Sequence, residues 1–325
     1  MNLIRTLAAA LLLAPALAFA GQNPSTHVFT AKPIVVDNAG FAEPESVVHD
    51  EQHDVYLLSN VNGRAIDNDG NGFISRIAPD GRLLALKWID GQAPGVTLHA
   101  PKGLAISGGT LYVADNGDAS GNVVRLFDLA SGQPHGTVPI PGSLFLNGLA
   151  VLPSGEVLVT DSGWRLSNTA GDEAPLAPGA KRQADGSTWT PTGQDAIYRI
   201  GKDGSVSVFA RGKELLQPNG IALLPSGNLL VASSSSPTLY ELTPQGQKLK
   251  FQPLPDRGFD GVGEAADGSR YAAGPDTLYR IAADGKVASV PGFDSHIADL
   301  HFDRKRNRLL LPLLRAYKLV IQPLP

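Results

Sequence analysis

An all-β fold made of repeated small sheets is the class this sequence predicts, on three observations. A short phrase recurs six times, each time just ahead of an apolar run. It reads Pro44-Glu45-Ser46-Val47, Pro101-Lys102-Gly103-Leu104, Leu146-Asn147-Gly148-Leu149, Pro218-Asn219-Gly220-Ile221, Phe259-Asp260-Gly261-Val262 and Ala298-Asp299-Leu300-His301. After each phrase the apolar residues alternate with polar ones, the period of a half-buried strand. The 36 glycines and 25 prolines punctuate turns throughout and leave no long helical period. Strand clusters returning about every 40 to 70 residues are the signature of propeller blades. Six such units can be counted, and a six-bladed β-propeller is the expected architecture.

Within each unit the elements follow in order. Second strands include Val55–Leu58, Leu111–Ala114, Val157–Thr160 and Leu229–Ala232, the last two announced by the turns Pro153-Ser154-Gly155 and Pro225-Ser226-Gly227. Third strands alternate large apolar and polar side chains, as in Ile197-Tyr198-Arg199-Ile200 and Leu278-Tyr279-Arg280-Ile281. Turns such as Lys202-Asp203-Gly204 and Ala283-Asp284-Gly285 then lead into a fourth strand. The last unit, from His296 onward, shows three strands only. The unassigned segment from Val28 to Val36 is therefore expected to close the ring against it, with Pro33 suited to an outer edge. The stretch 164–193, flanked by Trp164 and Trp189, is a loop insertion in blade three that can pack onto the body or lie over a ligand.

Composition narrows the function classes. The chain has 325 residues, 42% of them hydrophobic, and a formal net charge of -4. No basic stripe suits a phosphate backbone, so no nucleic-acid partner is expected. Arg5, the apolar run from Leu7 to Leu17 and Ala18-Phe19-Ala20 read as a cleavable signal peptide over 1–20. The mature protein then starts near Gly21 as a single domain over 21–325, periplasmic or secreted. No segment is long and apolar enough to span a membrane. The absence of cysteine leaves stability to packing, and a closed ring with few free edges is expected to be a monomer.

The second residue of the phrase varies as Glu, Lys, Asn, Asn, Asp, Asp while its framework stays fixed. Residues that open the innermost strands of a propeller face its axis. Glu45, Asn147, Asn219 and Asp260 are thereby expected to converge there, with Lys102 and Asp299 nearby. Carboxylate and amide oxygens are hard ligands suited to Ca²⁺ and acceptable to Mg²⁺ or Mn²⁺. Carboxylates gathered without a cation would repel one another. Glu43 competes with Glu45 for the same face of the strand. The run Asp67-Asn68-Asp69-Gly70-Asn71-Gly72 matches the start of an EF-hand loop, but Ala78 stands where the bidentate Glu belongs, so a polar turn is expected. Asp115 and Asp161, at the ends of second strands, fit structural capping. No Gly-x-Ser-x-Gly elbow, His-Glu-x-x-His motif or phosphate loop is found.

On these phrases the sequence resembles the gluconolactonase, regucalcin and luciferin-regenerating enzyme family of six-bladed propellers, over nearly the whole mature chain. The resemblance implies one divalent metal ion, Ca²⁺ by preference with Mg²⁺, Mn²⁺ or Zn²⁺ as alternatives, held by Glu45, Asn219 and Asp260. It places Asn147 at the substrate. Two departures bear on substrate choice: Ser46-Val47-Val48-His49 follows the Glu where the family has Pro and Trp, and Phe259 replaces a Pro. The implied activity is hydrolysis of a small ester such as a sugar lactone. A cation would polarise the carbonyl and lower the pKa of a water, and Asp260 would take that water's proton. Lys102, Asn147, His99 and Asp299 would orient the hydroxyls of a small-molecule substrate. The alternative expectation is a non-catalytic metal-containing propeller that binds a small ligand or a protein.

Overall fold

Each alternating run becomes one strand of a small antiparallel sheet, and six such sheets follow one another along the chain. The computed structural model describes residues 24–167, 179–182 and 188–325. The leader expected over 1–20 lies outside them, as does much of the insertion. The first sheet pairs Pro44–Asp50, Val55–Asn60, Phe73–Ile77 and Leu83–Asp90 in sequence order. The second, third and fourth open on Ala100–Ser107, Leu146–Val151 and Pro218–Leu223 and have four strands each. The fifth opens on Val262–Glu264 and the sixth on His301–Asp303. No α-helix occurs among the described residues, and no helix there is long and apolar enough to cross a membrane.

The amino-terminal segment serves two sheets. Ile34–Val36 pairs antiparallel with Lys318–Pro323 as the fourth strand of the sixth sheet, Ile34 opposite Ile321 and Val36 opposite Leu319. Ahead of it, Ser25–Thr26 adds a short parallel strand to the edge of the fifth sheet at Val287–Val290, which sequence reasoning did not foresee. The insertion folds as a three-stranded sheet of its own, Trp164–Ser167, Lys181–Arg182 and Thr188–Pro191, between the second and third strands of the third sheet.

Apolar packing is divided among the interfaces between successive sheets. Val48, Leu57 and Ile74 of the first sheet meet Leu104, Val113 and Phe127 of the second. Tyr271 and Leu278 of the fifth meet Leu309 and Leu311 of the sixth. Leu310, Leu319 and Ile321 of the sixth meet Val47, Tyr56 and Leu58 of the first. Each sheet is thus buried on both faces, and so its strands carry large side chains on either side.

The inner strands approach more closely than side chains would allow, and the third residue of the phrase explains it. A Cβ on Gly103 would strike the Asn147 carbonyl, one on Gly148 that of Asn219, one on Gly220 that of Asp260, and one on Gly261 the backbone at Asp299–Leu300. Glycine stands there because the next inner strand's backbone fills the space a side chain would need. Hydrogen bonds run through the same contacts: Gly220 N to Asp260 O at 3.0 Å, and Asp299 N to Glu45 O at 3.0 Å. Gly220→Val should therefore destabilise by about 1–3 kcal/mol, the cost of overpacking. Gly136→Ala, with nothing near the added carbon, should stay within about 0.5 kcal/mol. Urea unfolding of the two variants checks the contrast.

Candidate functional site

A β-bulge sets the variable side chains. The ladder register shifts between Pro44 and Val47, Pro101 and Leu104, Leu146 and Leu149, and Pro218 and Ile221. Glu45, Lys102, Asn147 and Asn219 therefore sit in bulges, which re-aim a side chain out of the sheet's alternation. Hydroxyls of the second strand meet the freed backbone groups. Ser59 Oγ accepts from Ser46 N at 2.9 Å and donates to Lys102 O at 2.9 Å. Thr160 Oγ1 accepts from Gly148 N and donates to Asn219 O at 2.6 Å. One hydroxyl thus ties each of these two bulges to the next inner strand.

Three carboxylates share one electrostatic environment. Glu45 is buried, 6% exposed, and Lys102 Nζ lies 3.5 Å from its Oε1. Burial holds the Glu45 carboxyl well above the usual carboxylate range. The Lys102 ammonium opposes that shift, while Asp260 and Asp299 add to it. Asp299 accepts from Ser46 Oγ at 2.6 Å and from Leu300 N at 2.8 Å. Burial pushes it up to about 7, the Ser46 hydroxyl opposing and Asp260 reinforcing. Asp260 Oδ2 lies 3.1 Å from His296 Nε2. Asn147 Nδ2 donates to Ser162 Oγ at 2.6 Å, which itself donates to Pro218 O beside Asn219.

The remaining candidates fall elsewhere. His99 Nδ1 accepts from Gly70 N at 3.0 Å, and its backbone N–H is held by Asp115. Its ring thus anchors the Asp67–Gly72 loop to the second sheet. In that loop Asp67 bonds Arg64, and Asp69 bonds Asn71 at the backbone and side chain. Its carboxylates are turned to its own turn. Glu43 has positive φ (45°) and bonds Gly63 N and Tyr317 OH, so it precedes the strand and does not share the face of Glu45. Asp115 and Asp161 accept the backbone N–H groups at the entry to the second and third sheets.

One feature went unread in the sequence, and a second, the place of the insertion's tryptophans, was left open there. His296 stands three residues ahead of Asp299, as His99 stands three ahead of Lys102. That shared spacing was the available signal, but only the structure shows that one ring reaches a carboxylate of the site. The second feature is an aromatic roof: Lys102 Nζ lies 5.6 Å from the Phe145 ring, Trp189 packs on Phe145 at 5.2 Å, and Trp164 packs on Trp189 at 6.0 Å. The insertion therefore borders the acidic ring.

A divalent cation suits this donor set. The carboxylates of Glu45, Asp260 and Asp299 supply hard oxygens, and Asp260 and Asp299 add to the upward shift that burial imposes on Glu45. No group of three or more His, Cys, Asp or Glu residues among the described ones forms a recognised metal cluster.

No protein-family profile and no curated protein matches the chain. Solved structures do. A gluconolactonase from Xanthomonas campestris superposes with a TM-score of 0.63 at 18% identity, over 94% of this chain and 99% of that one. A virginiamycin B lyase from Staphylococcus aureus, in a catalytically inactive form with quinupristin, gives 0.60 at 16% identity over 90% and 99%. A luciferin-regenerating enzyme gives 0.57 at 12% identity over 90% and 98%. At these identities the likeness is one of fold, a propeller-like arrangement shared by proteins whose names denote hydrolytic and lyase chemistries.

The raised carboxyls carry a pH signature. A carboxyl whose folded pKa exceeds its ordinary value keeps a proton that the unfolded chain releases, so its stabilisation is full below about pH 4. For Asp299 that stabilisation is lost as pH climbs from 3.8 through about 7. In chelator, the stability of the parent relative to Asp299→Asn should fall across that interval, as measured by urea unfolding at a series of pH values. A rise would contradict the assignment.

Proposed function

We propose that the chain is an exported, metal-dependent hydrolase of a small ester, with a sugar lactone as the substrate class. The observation that carries the reading is the meeting of Glu45, Asp260 and Asp299 around Lys102 and His296. The same reading makes the molecule a six-bladed β-propeller, its sixth blade completed by Ile34–Val36. Glu45, Asn219 and Asp260 would hold the cation, Ca²⁺ by preference. When bound, it supplies Lewis-acid stabilisation of the negative charge that grows on the ester carbonyl oxygen.

The chain's own residues supply the rest. His296 Nε2, 3.1 Å from Asp260 Oδ2, fixes the carboxylate that accepts a proton from the attacking water. The water oxygen bonds to the carbonyl carbon, the ring C–O bond breaks, and the proton held at Asp260 returns to the departing ring oxygen. Asn147, oriented by Ser162, and Lys102, braced on Phe145, are placed to hold substrate hydroxyls. The insertion's tryptophans keep that side of the site drier, which strengthens each of these contacts.

A second reading, proton abstraction followed by elimination, is favoured by His296 itself: an imidazole against a carboxylate is also a competent carbon-acid base. The fold likeness to a virginiamycin B lyase supports keeping it. Turnover of a lactone panel in isotopically labelled water, with each divalent metal supplied, separates the two. Hydrolysis places the label in the product acid, and elimination places none. Asp260→Ala should lower kcat by about a hundred- to ten-thousand-fold with the fold retained. A chain inactive on the panel with every metal would overturn the enzymatic reading.

A further inference from the structure

Ser59 and Thr160 spend their hydroxyls on backbone groups alone. Ser162, fully buried just past Val157–Asp161, behaves differently: its hydroxyl also holds the side chain of Asn147. The same residue reaches two further parts of the site. Its N–H donates to Phe145 O at 2.9 Å, in the residue whose ring lies under Lys102. Its hydroxyl lies 2.7 Å from the carbonyl oxygen of Pro218, in the peptide that leads into Asn219.

These contacts fix which end of the Asn147 amide faces where. A hydroxyl has one proton to give, and a carbonyl oxygen can only accept. The Ser162 proton is therefore committed to Pro218 O. Toward Asn147, 2.6 Å away, Ser162 Oγ can then only accept. The amide nitrogen and oxygen are told apart by such a network. Nδ2 is the atom against Ser162, and Oδ1 is the atom turned away from it. Among the described residues nothing donates to Oδ1, and it is not enclosed. The bulge that carries Asn147 lies between those of Lys102 and Asn219, where Gly103 and Gly148 meet the next backbone.

We infer that Ser162 is a positioning residue that makes Asn147 an acceptor toward the substrate, so that the site selects a lactone bearing a hydroxyl that donates to Asn147 Oδ1. The selection presupposes the hydrolase reading; the polarity of the amide does not. A lactone without that hydroxyl leaves the oxygen facing it without a donor, which costs binding.

Fluorine is the discriminating probe, since it accepts weakly and cannot donate. On the lactone of the panel that the parent turns over, each hydroxyl is replaced in turn by hydrogen and by fluorine. At one position both replacements should raise KM by about tenfold, the loss of one hydrogen bond, with kcat within about twofold. Ser162→Ala frees the amide to turn, and the preference for hydroxyl over fluorine there should fall to about twofold or less. Ser162→Thr, which keeps the hydroxyl, should retain it. The comparison in the parent stands even where Ser162→Ala does not fold. A second measurement needs no substrate. In chelator, one Asn147 carboxamide proton, assigned by its loss in Asn147→Asp, should exchange about tenfold more slowly in the parent than in Ser162→Ala, as read by NMR. Better tolerance of fluorine than of hydrogen at every position, a hydroxyl preference unchanged in Ser162→Ala, or exchange unchanged by that substitution would each overturn the inference. Loss of a bound cation in Ser162→Ala would overturn it too, by placing Oδ1 on the ion. A parent inactive on every lactone removes the hydrolase reading and the selection with it, while slowed exchange would still show the polarity of the amide.

Discussion

The molecule depends on one steric fact: successive inner strands meet backbone against backbone. Gly103, Gly148, Gly220 and Gly261 give up a side chain so that the next strand's peptide can occupy its place. That approach fixes how near the preceding residue of one phrase comes to its counterpart in the next. At the first sheet the glycine is replaced by Ser46, which accepts from Leu104 N and donates to Asp299. A hydrogen bond there does what bare contact does elsewhere, and it joins two residues 253 apart in the chain.

Crowding of this kind has an electrostatic consequence. Glu45, buried, and Asp299, half-buried, are brought near Asp260, and their protons are held more tightly than in solution. Lys102 answers only part of the charge, at 3.5 Å from one oxygen of Glu45. A neutral, hydrogen-bonded ring would fold at less electrostatic cost. Carboxyls gathered and shifted in this way are characteristic of functional sites, where local stability is given up for chemistry.

Strand content and the sheet units were legible because alternation and turn chemistry are local. So was the identity of the variable positions, since a fixed frame around a changing residue is visible in one dimension. The separation of Glu45 from Glu43 was not, because it rests on a left-handed backbone at Glu43 that no residue type dictates. His99 and His296 look alike in sequence, yet one bonds Gly70 and the other Asp260. Which ring meets which partner is decided by contacts between sheets remote in sequence. The same holds for Ser25–Thr26 at the fifth sheet.

Everything proposed for the site turns on whether these inward-facing oxygens grip a cation. Elemental analysis of protein purified without chelator, beside Glu45→Gln/Asp260→Asn purified in the same way, addresses that question without reference to any substrate. The account predicts one divalent ion per chain in the parent and none in the double variant. A parent that holds no ion, or a variant that retains it, would contradict the account.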